Sequence, residues 1–283
     1  MLIKTYKITF LNELLSLYDE MESERFFYLV LEHFHSIKRI DLALNPNFEF
    51  SEDAILRWNN VLNQLKLEIP IQYILGKTNF YGLDFEVNPN VLIPRPETEE
   101  LVDWIISNNL DLKNKDFSIL DIGTGSGCIA VSLAKNLKNA TVFALDISEK
   151  ALATAKKNAE NNEVSVTFIE KDILNTLDFD TQLDIIVSNP PYVRHLEKAE
   201  IKNNVLENEP HLALFVSDTD ALLFYRKIAH FALKNLKETG FLYFEINQYL
   251  GNETINLLKE IGFKDLELRK DIYGNDRMIC GRI

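Results

Sequence analysis

The sequence predicts an α/β protein in which a mostly parallel sheet, covered by helices on both faces, follows a small helical bundle. Three observations predict it. Up to about residue 76, apolar residues keep helical spacing. From about residue 95, short, almost uninterrupted apolar runs alternate with amphipathic stretches. Strands that carry apolar residues at every position are buried on both faces, which crossover helices bring about in parallel sheets. Between these parts lies a turn-rich stretch with Gly and Asn-Pro breakers. We therefore divide the chain into a bundle over 1–76, a β-hairpin connector over 77–94 and an α/β domain over 95–283.

In the bundle, Leu11, Leu14, Leu15 and Tyr18 predict one stripe, and Phe26, Phe27, Val30, Leu31 and Phe34 a second. Ile55, Trp58, Leu62 and Leu65 form a third, spaced as one helix face requires. Ser51, with Glu52 and Asp53 after it, is an N-cap with acids in the first turn. Alternation over Phe80–Val87, followed by Asn88-Pro89-Asn90 and Val91-Leu92-Ile93, predicts the hairpin. Pro94 and Pro96, ahead of Glu97 and Glu99, suit a helix start, while Arg95 is free either to brace the cleft or to reach a substrate. Beyond lie strands over 118–122, 141–145, 165–170, 184–188 and 241–246. Helices fall at 128–137, 149–161, 221–236 and 253–261, and two strands close the chain near 265–270 and 277–282. Crossovers between parallel strands should be right-handed.

The 283 residues carry 30 Lys and Arg against 43 Asp and Glu, a formal charge of −13. Seven basic and eleven acidic residues give the first 76 a charge of −4, which leaves −9 for the rest. That balance excludes a broad cationic surface of the kind that holds free duplex nucleic acid by counterion release. A hydrophobic share of 46% argues against disorder. No uncharged apolar stretch is long enough to span a bilayer, and the N-terminus reads as mature protein. Cys128 and Cys280 suit buried, reduced thiols in a reducing cytosol. The five histidines show no metal-ligand spacing, so no metal is expected.

The first α/β strand runs into Asp121-Ile122-Gly123-Thr124-Gly125-Ser126-Gly127, and a helix follows at once. Glycines at a strand-to-helix turn let a ligand approach the backbone closely. The dinucleotide pattern G-x-G-x-x-G/A fails from Gly123, where Cys128 takes the third position. It is loosely met from Gly125, where Ala130 does, so a nicotinamide cofactor stays open at this point. The full run more closely resembles the first motif of class I S-adenosylmethionine-dependent methyltransferases. Asp146 ends the next strand, where a carboxylate can accept both hydroxyls of an adenosine ribose, or cap the following helix. Asp172 and Ile173 follow the third strand, a corner that holds adenine in those methyltransferases. Falling after strands one, two and three, these acids share the carboxyl edge of one sheet, where α/β ligands bind.

Strand four ends in Asn189-Pro190-Pro191-Tyr192. Pro190 forces Asn189 to stay extended, and two prolines remove two N–H donors. The corner is rigid and rich in acceptors: the Asn189 side-chain oxygen and the Pro190 carbonyl can receive the two hydrogens of a planar –NH₂. Tyr192 adds an aromatic wall. An amide nitrogen is a weak nucleophile, and holding both its hydrogens orients it toward an electrophilic carbon. Such corners mark methyltransferases acting on planar nitrogen, whether adenine N6, cytosine N4 or a glutamine amide.

Further segments choose among these. Gln72-Tyr73-Ile74-Leu75-Gly76, Phe80-Tyr81-Gly82 and Leu92-Ile93-Pro94-Arg95-Pro96-Glu97-Thr98-Glu99 resemble the HemK/PrmC family, the N(5)-glutamine methyltransferases of peptide chain release factors. So do Glu209-Pro210-His211-Leu212-Ala213-Leu214, Phe224-Tyr225-Arg226, Phe244-Glu245-Ile246, and Asp271 with Gly274-Asn275-Asp276-Arg277. One departure is Asn247, where the family often has glycine; it is expected to be a loop detail. The resemblance implies a Rossmann-like, mostly parallel seven-stranded sheet. It implies that Gly123, Thr124, Gly125, Ser126 and Gly127 line the methionine part of S-adenosylmethionine. Asp146 would then hold the ribose and Asp172 and Ile173 the adenine, with S-adenosylhomocysteine as product. Asn189 would touch cofactor and substrate, with Asn189, Pro190 and Tyr192 catalytic and Asn189, Pro190, Pro191 and Tyr192 around the target glutamine. That glutamine would lie in the Gly-Gly-Gln loop of class I release factors, with the helical domain as part of the docking surface. A cytoplasmic monomer is expected, with no direct nucleic-acid or membrane partner. The rivals are a nucleic-acid amino methyltransferase, for which the basic residues are too few and dispersed, and an idle cofactor-binding protein, against which the intact Asn-Pro-Pro-Tyr corner argues.

Overall fold

A computed structural model describes residues 1–109 and 116–283. The described chain divides into two compact units, one of residues 1–76 with 202–208 and one of residues 77–201 with 209–283.

The first unit is helical, with α1 (Ile3–Leu14), α2 (Glu20–His35), α3 (Arg39–Leu44), α4 (Glu52–Lys66) and α5 (Ile71–Leu75). Helix α1 buries Ile3, Tyr6, Phe10 and Leu14, whereas Leu15 is exposed. Leu14 is buried and Leu11 and Tyr18 pack against the same core, so of the expected stripe only Leu15 is corrected: the helix stops at Leu14 and Leu15 faces outward. The α2 stripe holds at Phe26, Phe27, Val30 and Leu31. In α4, Trp58, Leu62 and Leu65 are buried, and the Ala54 amide donates to Ser51 Oγ at 3.2 Å. Trp58 is the centre of the packing, with the rings of Tyr6, Phe10, Phe27 and Phe50 within 5.6 Å. Its indole N–H donates to His35 Nε2 at 3.0 Å, so that imidazole is a neutral acceptor and a structural residue. Burial and Arg57 hold its pKa below the ordinary value. A later helix, α9 (Asn203–Asn208), also belongs to this unit. Lys202 pairs with Glu22 at 3.6 Å, and the Asn208 side chain donates to the Glu68 carbonyl at 3.2 Å.

The second unit opens with a hairpin, β1 (Lys77–Phe80) and β2 (Leu83–Glu86). It closes at Tyr81 and Gly82, whose φ values of 49° and 74° are those of a two-residue primed turn. Val91–Ile93 is not a strand, although Val91 and Ile93 are buried. Helix α6 (Pro96–Asn108) has proline in its first turn and no side-chain cap at Arg95. There follow β3 (Phe117–Ile122), α7 (Cys128–Asn136), β4 (Ala140–Asp146), α8 (Glu149–Asn161), β5 (Thr167–Glu170), β6 (Leu183–Ser188) and the short β7 (Val193–Arg194). After α9 come α10 (His211–Leu214), β8 (Phe215–Val216), α11 (Leu223–Asn235), β9 (Leu236–Glu245), α12 (Gly251–Ile261), β10 (Lys264–Lys270) and β11 (Asp276–Arg282).

Seven strands form one sheet in the order β10-β11-β9-β6-β3-β4-β5. β5, β4, β3, β6 and β9 are parallel neighbours, and β11 runs antiparallel to both β9 and β10. Side chains of a strand alternate between faces. On β3, Ile119 enters the core formed with α6 and α7, while Leu120 and Ile122 enter the core formed with α11 and α12. Both faces are covered, which is why the strands read as continuous apolar runs. β3 and β6 are adjacent, yet their outer neighbours β4 and β9 continue the fold in opposite directions. That reversal opens a crevice at the carboxyl edge. Among the described residues, no helix is long and apolar enough to cross a membrane.

Candidate active site

The turn after β3 is fastened to the end of β4. The Gly123 and Thr124 amides donate to the Leu145 carbonyl at 2.8 and 3.1 Å. The Gly125 amide donates to Asp146 Oδ2 at 2.9 Å, and the Ser148 amide to Asp146 Oδ1 at 2.9 Å. Asp146 is not the cap of α8; Ser148 is, its hydroxyl accepting from the Ala151 amide. Both Asp146 oxygens accept from the backbone, and of the roughly four acceptor positions of a carboxylate at least one remains. Burial raises its pKa, and the backbone donors oppose that.

The three glycines do different work. Gly123 and Gly125 have φ of 74° and 56°, and a Cβ on either would meet no atom within 4 Å. A Cβ on Gly127, at φ 81°, would sit 3.0 Å from Ala155 Cβ of α8. Gly127 therefore permits a left-handed residue and a close helix contact, whereas Gly123 and Gly125 face open space. Changing Gly127 to alanine should lower stability by at least about 1–2 kcal/mol from the backbone alone, read by chemical denaturation. Gly125→Ala, at φ 56°, should carry a similar backbone cost and in addition weaken cofactor binding, because its side chain would enter the open space, read by calorimetric titration beside denaturation.

The open space is a cavity of about 1020 Å³, counting its mouth. Of the residues singled out in the sequence, Gly123, Gly125, Asp146, Asp172, Ile173, Asn189, Pro190 and Pro191 line it. Thr124, Ser126, Gly127 and Tyr192 are not among its lining residues. Thr124 and Ser126 are buried, and the Thr124 hydroxyl donates to Asp121 Oδ2 at 2.6 Å. Asp172 is half turn and half wall: its oxygens accept from the Leu174 amide at 2.9 Å and the Asn175 side chain at 2.7 Å. The sequence analysis missed the opposite wall, made by Val91 and Leu92 and by Pro210, Leu212 and Ala213. Arg95 braces that wall. Its guanidinium meets Glu209 Oε1 at 2.6 Å, and the other oxygen of this buried carboxylate accepts from the Ile93 amide at 3.2 Å.

Asn189 stands at the end of β6, its side-chain nitrogen donating to Thr98 Oγ1 at 3.3 Å. The Thr98 hydroxyl donates to Glu245 Oε2 at 2.6 Å, and the Tyr192 hydroxyl to Glu245 Oε1 at 3.0 Å. Burial raises the pKa of Glu245, against the pull of these two donors and of Arg277. Burial also raises the Tyr192 phenol well above its ordinary value. The Tyr192 hydroxyl is thus turned away from the cavity. Asn247 is more than the loop detail expected of it: its side-chain nitrogen donates to the Tyr192 carbonyl at 3.0 Å and to Glu197 Oε2 at 3.0 Å. It ties the end of β9 to the Asn-Pro-Pro-Tyr segment.

The expected cofactor fits these residues on observations of the cavity itself. A Cβ on Gly123 or Gly125 would meet no atom within 4 Å, and both residues line the cavity, so the turn leaves room for a ligand to lie against its backbone. Asp146 keeps acceptor capacity for a diol, and Ile173, Leu145 and Pro190 give apolar surface for a planar base.

Comparison with known proteins agrees. Residues 103–213 match the family described as Methyltransferase small domain, and residues 13–76 match the PrmC N-terminal domain. The chain is 64% identical to the release factor glutamine methyltransferase of Flavobacterium psychrophilum, over 99% of this chain and 98% of the relative. It is 41% identical to that of Streptococcus pneumoniae, over 95% of this chain and 94% of the relative. Among solved structures, a methyltransferase from Pyrococcus furiosus superposes with a TM-score of 0.52 at 18% identity, covering 82% of this chain and 98% of that one, and so shares the fold.

Proposed function

From the premise that this chain belongs to the release factor glutamine methyltransferase family, we propose how its residues serve that reaction. The protein transfers a methyl group from S-adenosylmethionine to a glutamine side chain of release factors. When bound, S-adenosylmethionine supplies an electrophilic methyl carbon on a sulfonium. Gly123 and Gly125 would give it backbone access, Asp146 would accept from its ribose hydroxyls, and Asp172 and Ile173 would flank its adenine.

The observation that carries the substrate assignment is the acceptor corner at the cavity wall. Asn189 has its amide nitrogen on Thr98, which leaves Oδ1 as an acceptor, and Pro190 beside it has a carbonyl and no N–H. Together they take the two hydrogens of a glutamine –NH₂ and fix the direction of its lone pair. As the nitrogen lone pair takes the methyl, the C–S electron pair would stay on sulfur in S-adenosylhomocysteine, and the methylated nitrogen would then release one proton to water, so no strong base is needed at the wall. Pro191 stiffens the corner. Tyr192, anchored through its hydroxyl, holds its ring and backbone in place rather than offering a proton. We place the target in the Gly-Gly-Gln loop of class I release factors, with residues 1–76 contributing to docking, and the reaction in the cytoplasm, by a monomer that binds no nucleic acid directly. The net charge of −13 supports a protein substrate over an adenine in a nucleic acid. A competition assay tests this. With labelled S-adenosylmethionine, a release factor, DNA and RNA in one reaction, label should enter the release factor alone; label only in nucleic acid would refute the assignment.

A further inference from the structure

Resting on that reading, we infer that Thr98 and Glu245 are positioning residues that lock the Asn189 amide with its oxygen toward the substrate. An asparagine side chain is nearly symmetric in shape, and a half-turn about its last bond exchanges acceptor for donor. The acceptor corner works in only one of these two states. With the NH₂ outward, Asn189 would meet the hydrogens of the glutamine amide with hydrogens of its own.

The neighbours decide between the two states. The Thr98 hydroxyl has one hydrogen, and it is committed to Glu245 Oε2 at 2.6 Å. Thr98 Oγ1 therefore offers only lone pairs to Asn189, at 3.3 Å, and only the NH₂ group can answer them. Glu245 in turn accepts on both oxygens, from Thr98 and from the Tyr192 hydroxyl at 3.0 Å. Burial raises its pKa, and Arg277, paired with Asp271 at 3.1 Å, opposes that rise together with the two donors; with an incoming hydrogen bond on each oxygen, the hydrogen between Glu245 and Thr98 is the one that Thr98 donates. The direction of donation is thus fixed from the carboxylate outward, through the hydroxyl, to the amide. Turning Asn189 over would face two acceptors with no hydrogen between them. Leaving a buried acceptor unsatisfied disfavours that state by roughly ten- to a hundredfold. Neither Thr98 nor Glu245 lines the cavity, so both act through Asn189.

The test uses the full chain with a release factor as substrate. Thr98→Val keeps the shape of the residue and removes the hydroxyl, which frees Asn189 to turn. We expect kcat to fall by about ten- to a hundredfold, with KM for the release factor and affinity for S-adenosylmethionine nearly unchanged. Thr98→Ser restores the hydroxyl and should restore kcat to within about threefold of wild type. Glu245→Asp, which draws the carboxylate back and lets the Thr98 hydrogen turn toward Asn189, should also lower kcat, and it replaces Thr98→Val if that variant does not fold. Wild-type kcat in folded Thr98→Val or Glu245→Asp, or a Thr98→Ser as slow as the valine variant, would overturn the inference. An inactive wild-type chain would instead remove the functional reading beneath it.

Discussion

Replacing Asn189 by alanine is expected to lower kcat for release-factor methylation by about 100- to 1000-fold, the usual cost of losing one preorganised polar partner at a reacting group. Affinity for S-adenosylmethionine should fall by less than about tenfold, because the glycine turn, Asp146 and Asp172 remain. The effect is large because an amide nitrogen has so little nucleophilicity to spare. Only the paired acceptors of Asn189 and Pro190 keep its lone pair in line, and proximity and orientation can account for as much as roughly 7–11 kcal/mol of barrier. Single-turnover transfer of labelled methyl, alongside calorimetric titration of the cofactor, separates the two quantities. Lost binding with unchanged turnover at saturation would contradict the role given to Asn189.

The second large effect is on stability. Asp121 is fully buried at the end of β3, and burial pushes its carboxyl up to about 7 from 3.8. Between those values the unfolded chain has already lost the proton that the folded chain keeps, so raising the pH favours unfolding. The stabilisation from the protonated form is complete below pH 3.8 and is lost as pH rises through about 7. At about 1.4 kcal/mol per pKa unit, the shift amounts to roughly 4 kcal/mol. Asp121→Asn cannot ionise. The ligand-free variant should therefore gain thermal stability relative to wild type as the pH is raised from 5 to 9, in thermal denaturation across that range. Parallel curves for the two proteins would show that Asp121 is not the titrating group.

Much of this was legible before the structure. β3, β4 and β6 announce themselves because burial on both faces leaves their central positions apolar, and α7 because the glycine turn marks its start. The cavity residues Gly123, Gly125, Asp146, Asp172, Asn189 and Pro190 were legible because each follows a strand, and the parallel sheet collects strand ends on one edge. What was missed lacks periodicity or local sequence cause. Helix α9 and the Pro210–Ala213 wall lie in a stretch of short turns and scattered charges, where no face repeats. Leu15 was misplaced because leucines continue past the last turn of α1. The bond from Thr98 to Glu245 joins residues 147 positions apart, and that from Arg95 to Glu209 residues 114 apart. Such pairs are set by how distant segments pack in the folded chain, Thr98 of α6 against the end of β9 for one, and no local pattern encodes them. Asn247 looked idle for the same reason: its partners, Tyr192 and Glu197, become its neighbours only in the folded chain.

The central claim is that the Asn189–Pro190 corner presents a glutamine amide, and no other group, for methylation. The most direct measurement is fragment-ion mass spectrometry of a class I release factor after incubation with the protein and S-adenosylmethionine, beside a release factor whose Gly-Gly-Gln glutamine has been changed to alanine. The account predicts one added methyl group on that glutamine side chain and none on the altered factor. A methyl group elsewhere on the wild-type factor, or equal methylation of the altered one, would contradict it.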